Sequence, residues 1–350
     1  MIQLIHRLKE KKLDAILVSC QQNISYLLNY PSRDSYLIFS GSGNFYFTDS
    51  RYTHQARKAL GGSCMVIEFN GSFAQTISSW IKKLKFKSIA FEERKLSYAE
   101  YQLIRKGLDY YQEMIPTFGI VESLRAIKTA FEIAKIRRAV DIAIEAFGFA
   151  AEVIKPEVKE IEVCSKLESF IRCRGATGAS FQIIVASGEN SSFPHHISSS
   201  RKIKNNEPVL LDMGADYQGY KSDLTRVFFL GKIKNSFSNI YNVVLEAQKK
   251  AIQALQNGQR RPDKIDEVAR DHIKNKGFGR FFKHSLGHGV GLEVHESPNL
   301  SKYETSCLKP GMVFTVEPAI YLPGKFGVRI EDMCLITKNK VEVLSGALNK

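Results

Sequence analysis

Short apolar runs alternate with charged stretches of helical period along the first third of the chain. Residues 15–18, 36–39, 45–48, 65–69 and 88–91 have the length and the β-branched or aromatic content of strands. Residues 51–60, 73–84 and 98–107 repeat apolar side chains at helical spacing, and the interleaved start MIQLIHRLKEKKLDA reads as a first amphipathic helix. SGSGN at 40–44 is a hairpin turn by composition, and Asp49 or Ser50 is the expected cap of the helix behind it. These elements predict a small α/β domain without an evident active site. From 111 to 123 the pattern lapses around Pro116 and Gly119, which predicts a linker. Thr129 and Glu132 then form a capping box ahead of Ile133, Ile136, Val140, Ile144 and Phe147, one face of a long helix. The predicted domains are residues 1–122 and 123–350.

In the second domain a helix over 160–172 and a strand over 181–186 precede a polar loop, SGENSSFPHHISSS, that holds His195 and His196. Paired histidines in a loop are usually solvated, so alone they carry little. VLLDMGADYQGYKSDLTR, 209–226, follows as a hairpin with Gly219 at its reversal and Asp212 and Asp223 beside strongly apolar arms. Helices over 238–256 and 264–276 end at Gly258 and Gly277. FFKHSLGHGVGLEVHE brings His284, His288 and His295 into one glycine-rich segment, where backbone can approach a ligand closely and imidazole can bind metal. Last come two strands, 312–321 and 327–337, joined by LPGKFG and carrying Glu317 and Glu331. Strand period sets Arg329 and Glu331 on one face.

The 350 residues fit roughly two domains, and 44% hydrophobic with 25% charged residues is an ordinary globular balance. The net charge of +14 is spread along the chain with no nucleic-acid-binding signature, so no nucleic-acid partner is expected. Six cysteines without a CxxC pair read as free thiols in a reducing compartment, and no apolar run approaches a membrane span. A cytoplasmic protein is expected.

Four carboxylates, spaced 212/223 and 317/331, arrive in two hairpins that each follow a pair of helices, which suggests two related halves closing on one site. Buried together they could not all ionise without cations. Two divalent ions cancel their charge, and an oxygen-rich set with one imidazole suits manganese, cobalt, iron or zinc. Two such ions can share a water, lower its pKa and hold the carbonyl it attacks.

LDMGADYQGYKSDLTR, HSLGHGVGLEVHE, VEPAIY and VRIEDM resemble the successive signatures of the pita-bread metallopeptidases, peptidase family M24, which includes aminopeptidase P, prolidase and methionine aminopeptidase. IVASGENSSFPHH resembles that family's histidine loop, and NISYLLNY and FTDSRYTHQA resemble the amino-terminal domain of its proline-directed branch. The resemblance implies a creatinase/prolidase-type α/β domain followed by a pseudo-two-fold domain with a curved antiparallel sheet. It implies that Asp212 chelates one ion, His288 and Glu317 the other, and that Asp223 and Glu331 bridge the two, with manganese placed first and cobalt, zinc or iron as substitutes. His195 and His295 would bind the scissile carbonyl and its tetrahedral intermediate, His284 would line the site, Arg329 would orient the bridging carboxylates, and Glu317 would shuttle a proton. The implied activity is a metal-bridged hydroxide attacking the Xaa–Pro bond of peptides with proline second, in a homodimer. Prolidases commonly place an arginine shortly after VHE to hold the dipeptide carboxylate. Asn299 stands in that neighbourhood with Lys302 close by, which favours an aminopeptidase over the alternative dipeptidase. A metal-free creatinase relative and a binding protein on a retired peptidase scaffold are disfavoured, because all five ligand positions are present and unpaired buried acids would be a pure cost.

Overall fold

A computed structural model describes residues 2–350. The chain divides into two compact units, ending and beginning at Arg125 and Ala126. In the first, strands β1 (Ala15–Val18), β2 (Ser35–Ser40), β3 (Gly43–Thr48), β4 (Met65–Glu68), β5 (Ser88–Glu92) and β6 (Glu113–Thr117) form one mixed sheet in the order β4-β3-β2-β1-β5-β6. Its helices are α1 (Ile2–Glu10), α2 (Gln21–Leu28), α3 (Ser50–Leu60), α4 (Phe73–Lys83), α5 (Tyr98–Lys106) and the short α6 (Glu122–Arg125). Alternation along the strands feeds two cores. Ile16, Val18, Leu37 and Phe39 pack with α1, α2 and α3, while Leu17, Ile38 and Phe47 pack with α4 and α5. Asp49 caps α3 as expected, accepting from the Arg51 amide.

Two elements depart from the sequence reading. The expected linker over 111–123 is instead β6 and the start of α6; Pro116 is tolerated because β6 is an edge strand with no ladder partner on its outer side. Helix α2 was not expected from the apolar spacing of its residues.

The second unit begins with α7 (Ala130–Val153), whose Thr129–Glu132 capping box has both hydrogen bonds, and α8 (Glu160–Cys173). Strands β7 (Gly178–Ala179), β8 (Ile184–Ser187), β9 (Pro208–Met213), β10 (Ala215–Tyr217), β11 (Tyr220–Lys221) and β12 (Leu224–Phe229) follow. The predicted strand over 181–186 therefore starts three residues late. Helices α9 (Asn235–Gln256) and α10 (Pro262–Asn275) lead into β13 (Gly287–Gly289), β14 (Glu296–Leu300), β15 (Val313–Val316), β16 (Ala319–Leu322), β17 (Phe326–Arg329), β18 (Asp332–Ile336) and β19 (Val341–Val343). Every strand pairing in this unit is antiparallel. Each half is thus two helices followed by a hairpin. The β9–β12 hairpin buries Val209, Leu211, Met213 and Leu224 against α7 and α8, and the second hairpin buries Phe314, Val316, Val328 and Ile330 against α9 and α10. Among the described residues no helix is long and apolar enough to cross a membrane.

Candidate metal centre

Strand period decides where the acids go. With Leu211 and Met213 turned to the helices, Asp212 lies on the opposite face of β9, and with Leu224 turned to the helices, Asp223 and Thr225 share that opposite face. Asp212 pairs with Thr225 across the ladder, so Asp223 is its diagonal neighbour. The turn that fixes this register is two residues long, Gln218–Gly219 between the paired Tyr217 and Tyr220. Both turn residues have positive φ, 52° and 87°, as such a turn requires.

The second hairpin corrects the expectation of two unbroken strands. It splits into β15 with β18 and β16 with β17, interrupted at Glu317–Pro318 on one arm and Ile330–Glu331 on the other. Pro318 has no N–H to give a ladder. The pairings Val316 with Asp332 and Ala319 with Arg329 nevertheless hold one register, so Glu317 falls opposite Glu331 at the break. A bridge between Thr225 and Glu331 then joins the two hairpins, reinforced by Arg226, which donates to the Glu331 carbonyl at 2.6 Å and to Asp332 at 2.7 Å. His288 comes from β13, which runs between β14 and β15. Its flanking glycines serve that close packing: a Cβ on Gly287 would stand 2.0 Å from the Thr315 carbonyl oxygen, and one on Gly289 2.3 Å from that of Ser297. The glycines therefore admit neighbouring backbone rather than a ligand.

All nine candidate residues, Asp212, Asp223, Glu317, Glu331, His195, His284, His288, His295 and Arg329, line one cavity of about 1240 Å³ within this unit. Ligand-capable atoms of Asp212, Asp223 and Glu331 lie within 4.8 Å of one another, as do those of His288, Glu317 and Glu331 and those of Asp223, His288 and His295. His288 Nε2 is 3.3 Å from Glu317 and 3.6 Å from Asp223. Its Nδ1 faces the Gly289 carbonyl at 3.2 Å; a carbonyl only accepts, so Nδ1 carries a proton and Nε2 is the atom free for a cation. The rings of His288 and His295 meet edge to face with centroids 4.2 Å apart.

Arg329 donates to Asp212 Oδ2 at 2.5 Å rather than directly to either carboxylate expected to bridge. Its reach to Glu331 runs through Thr225, which accepts from Arg329 Nε at 3.0 Å and donates to Glu331 at 2.7 Å. A third contact, 2.5 Å to the Tyr321 hydroxyl, leaves that hydroxyl to face His284 Nε2 at 3.3 Å, while His284 Nδ1 donates to the Ser285 carbonyl. Neither Thr225 nor Tyr321 stands out from the sequence as a site residue. Their faint signal was position: Thr225 shares a strand face with Asp223, and Tyr321 ends VEPAIY.

Electrostatics sort the acids into two kinds. Burial, then repulsion from Glu331, Asp212 and Glu317, pushes Asp223 well above the usual carboxylate range; burial, then Glu317 and Asp212, does the same to Glu331. Asp212 is raised by burial against the pull of Arg329. Burial also disfavours charge on Glu317, but the hydrogen bond and charge of His288 outweigh it and hold Glu317 at about 2. Burial disfavours charge on His288 in turn, and Glu317 overcomes it, lifting His288 to about 9. Among the side chains, the Arg329 guanidinium and the His288 imidazolium are the positive groups that face these acids.

One atom is left over. Asp212 Oδ1 is buried and has no hydrogen-bond partner among the described residues. An orphaned carboxylate oxygen beside three further acids and an aimed imidazole is a donor set that divalent cations fit.

Residues 134–338 match the model of metallopeptidase family M24, and residues 2–127 match the creatinase/prolidase N-terminal domain. The chain belongs to metallopeptidase family M24. Among M24 relatives, it is 36% identical over 340 residues to the Xaa-Pro dipeptidase of Pyrococcus horikoshii, covering 96% of this chain and 94% of that one. It superposes on an Xaa-Pro dipeptidase from Bacillus anthracis with a TM-score of 0.93 at 38% identity, covering 100% of this chain and 97% of the other. The X-Pro aminopeptidase of Thermotoga maritima gives 0.87 at 35% identity, with 97% of both chains covered. The M24 assignment implies divalent metals. The amino-terminal unit is of the creatinase type and the second unit carries the pita-bread fold.

Proposed function

We propose that this M24 metallopeptidase removes the first residue from peptides with proline second, using two divalent ions held by Asp212, Asp223, His288, Glu317 and Glu331. The observation that carries this reading is the convergence of four carboxylates and His288 on one cavity wall with Asp212 Oδ1 unsatisfied. Asp212 would hold one ion and His288 with Glu317 the other. Glu331 and Asp223 each belong to two of the three ligand groups, which supports a bridging role for both. When bound, such ions polarise the scissile carbonyl and make water acidic enough to attack it near neutral pH; manganese is the first choice.

The chain's own residues do the rest. His295, kept neutral first by burial and then by His288, and His195 stand on the cavity wall as N–H donors for the oxyanion that develops. Glu317, on the cavity wall beside His288, accepts a proton from the attacking water and passes it to the departing nitrogen. Arg329 fixes Asp212 directly and Glu331 through Thr225. An Xaa–Pro bond has no N–H, so a site that recognises it needs a slot for the ring rather than a grip on that hydrogen.

Asn299 on the cavity wall, neutral where a fixed cation would demand a free dipeptide carboxylate, supports the aminopeptidase. The dipeptidase is the second reading, favoured by the names of the relatives and by Arg280 and Lys283 on the same wall. Hydrolysis of Xaa–Pro and Xaa–Pro–Yaa peptides, with manganese, cobalt and zinc compared, decides between them. Release of the first residue from tripeptides in preference to dipeptides is expected; cleavage of dipeptides alone selects the second reading, and cleavage of neither with any metal defeats both.

Cation binding should also displace protons. At neutral pH the metal-free His288, lifted to about 9, holds a proton that a cation must remove, and the upward push on Asp223 and Glu331 acts in the same direction. Manganese affinity should therefore rise with pH through neutrality, with the His288 contribution levelling off above about 9. Titration calorimetry in buffers of different ionisation enthalpy measures the released protons, and an affinity flat with pH would contradict the assignment.

A further inference from the structure

Glu160, the first residue of α8, is fully buried in the second unit, yet its side chain does not serve its own helix. It accepts from both ends of the loop that carries His195. At the entry, the Ser187 amide and hydroxyl donate at 2.7 Å each; at the exit, the Ser199 amide and hydroxyl donate at 3.1 and 2.7 Å. In between, Asn190 donates at 3.0 Å and His196 Nε2 lies 2.9 Å away. A carboxylate only accepts, so that nitrogen of His196 carries its proton. These donors outweigh the cost of burial and hold Glu160 at about 2.

Both histidines line the cavity, but they are held differently: His196 is partly buried and tied back to Glu160, while His195 is exposed on the wall with its side chain left to the substrate. The far side of the loop is docked on β17. Ser191 accepts from the Gly327 amide at 2.9 Å, and the Pro194 carbonyl, one residue before His195, accepts from Arg329 at 3.4 Å. The backbone of His195 is therefore held between Glu160 on one side and the strand of Arg329 on the other.

We propose that Glu160 is a positioning residue for hydrolysis: by anchoring His196 and both ends of the loop, it aims His195 at the substrate carbonyl. The inference rests on the role given to His195 above. Glu160 touches neither substrate nor cation, so its effect must pass through His195.

A double-mutant cycle on the manganese-loaded enzyme with an Xaa–Pro–Yaa peptide tests this. Glu160→Gln should lower kcat by roughly tenfold to a hundredfold, the range for a displaced reacting group, with metal content unchanged. In a His195→Ala background the same substitution should cost less than about twofold, because the group it positions is already gone. An equal loss in both backgrounds overturns the proposal. If Glu160→Gln does not fold, His196→Ala, which leaves Glu160 its serine and asparagine partners, takes its place in the cycle with the same expectations. Failure of the wild-type chain to cleave any Xaa–Pro peptide would instead sink the functional reading. The anchoring itself is read without turnover: diethyl pyrocarbonate should modify His195 well before His196, with that difference lost in Glu160→Gln or, should it not fold, in a Ser187→Ala/Ser199→Ala variant. Equal wild-type rates at the two histidines would overturn the proposal whatever the activity.

Discussion

His288→Ala is expected to lose at least about a hundredfold in turnover, since disturbing the outer partners of a metal ligand already costs about tenfold to a hundredfold and this removes the ligand itself. His288 is the imidazole whose Nε2 faces Glu317 and Asp223, while its Nδ1 is committed to the Gly289 carbonyl. Alanine leaves Glu317 without the hydrogen bond and charge that hold it ionised. The variant should therefore bind one ion poorly and retain the other near Asp212. Metal content at limiting manganese, read beside kcat, checks this; wild-type turnover with a full metal complement would remove His288 from the ligand set.

Arg329→Ala is expected to act on stability and rate together. The Arg329–Asp212 pair is buried, with side-chain exposures of 5% and 11%. Removing one partner of a buried pair costs about 3–5 kcal/mol, because the other is left uncompensated. The metal-free variant should unfold at correspondingly lower denaturant. With metal bound, Asp212 regains a positive partner, so the stability deficit should shrink while turnover stays low, by about tenfold to a hundredfold. Chemical denaturation with and without manganese measures the difference. An equal deficit in both states would mean that Arg329 supports the fold without bearing on the ligands.

Much of this site was legible because period two along a strand is a strong rule. It put Arg329 and Glu331 on one face, and Val328 and Ile330, which alternate with them, do turn to the core. What stayed hidden has physical reasons. The break at Glu317–Pro318 preserves register across the gap, so an apolar run reads as one strand. Helix α2 buries Asn23, whose amide donates to Glu92 at 2.5 Å and Glu122 at 2.8 Å and whose carbonyl accepts from Arg125. A polar residue inside the core spoils the apolar spacing by which a helix is recognised. Thr225 and Glu160 matter through partners distant in sequence: Thr225 and Glu331 are 106 positions apart, and Glu160 and Ser199 are 39. No local pattern encodes such contacts.

Anomalous diffraction from manganese-soaked crystals tests the ligand set most directly. Two peaks per chain are expected, one against Asp212, Asp223 and Glu331 and the other against Asp223, His288, Glu317 and Glu331. A cavity without manganese, or a metal lying away from these five side chains, would contradict the account.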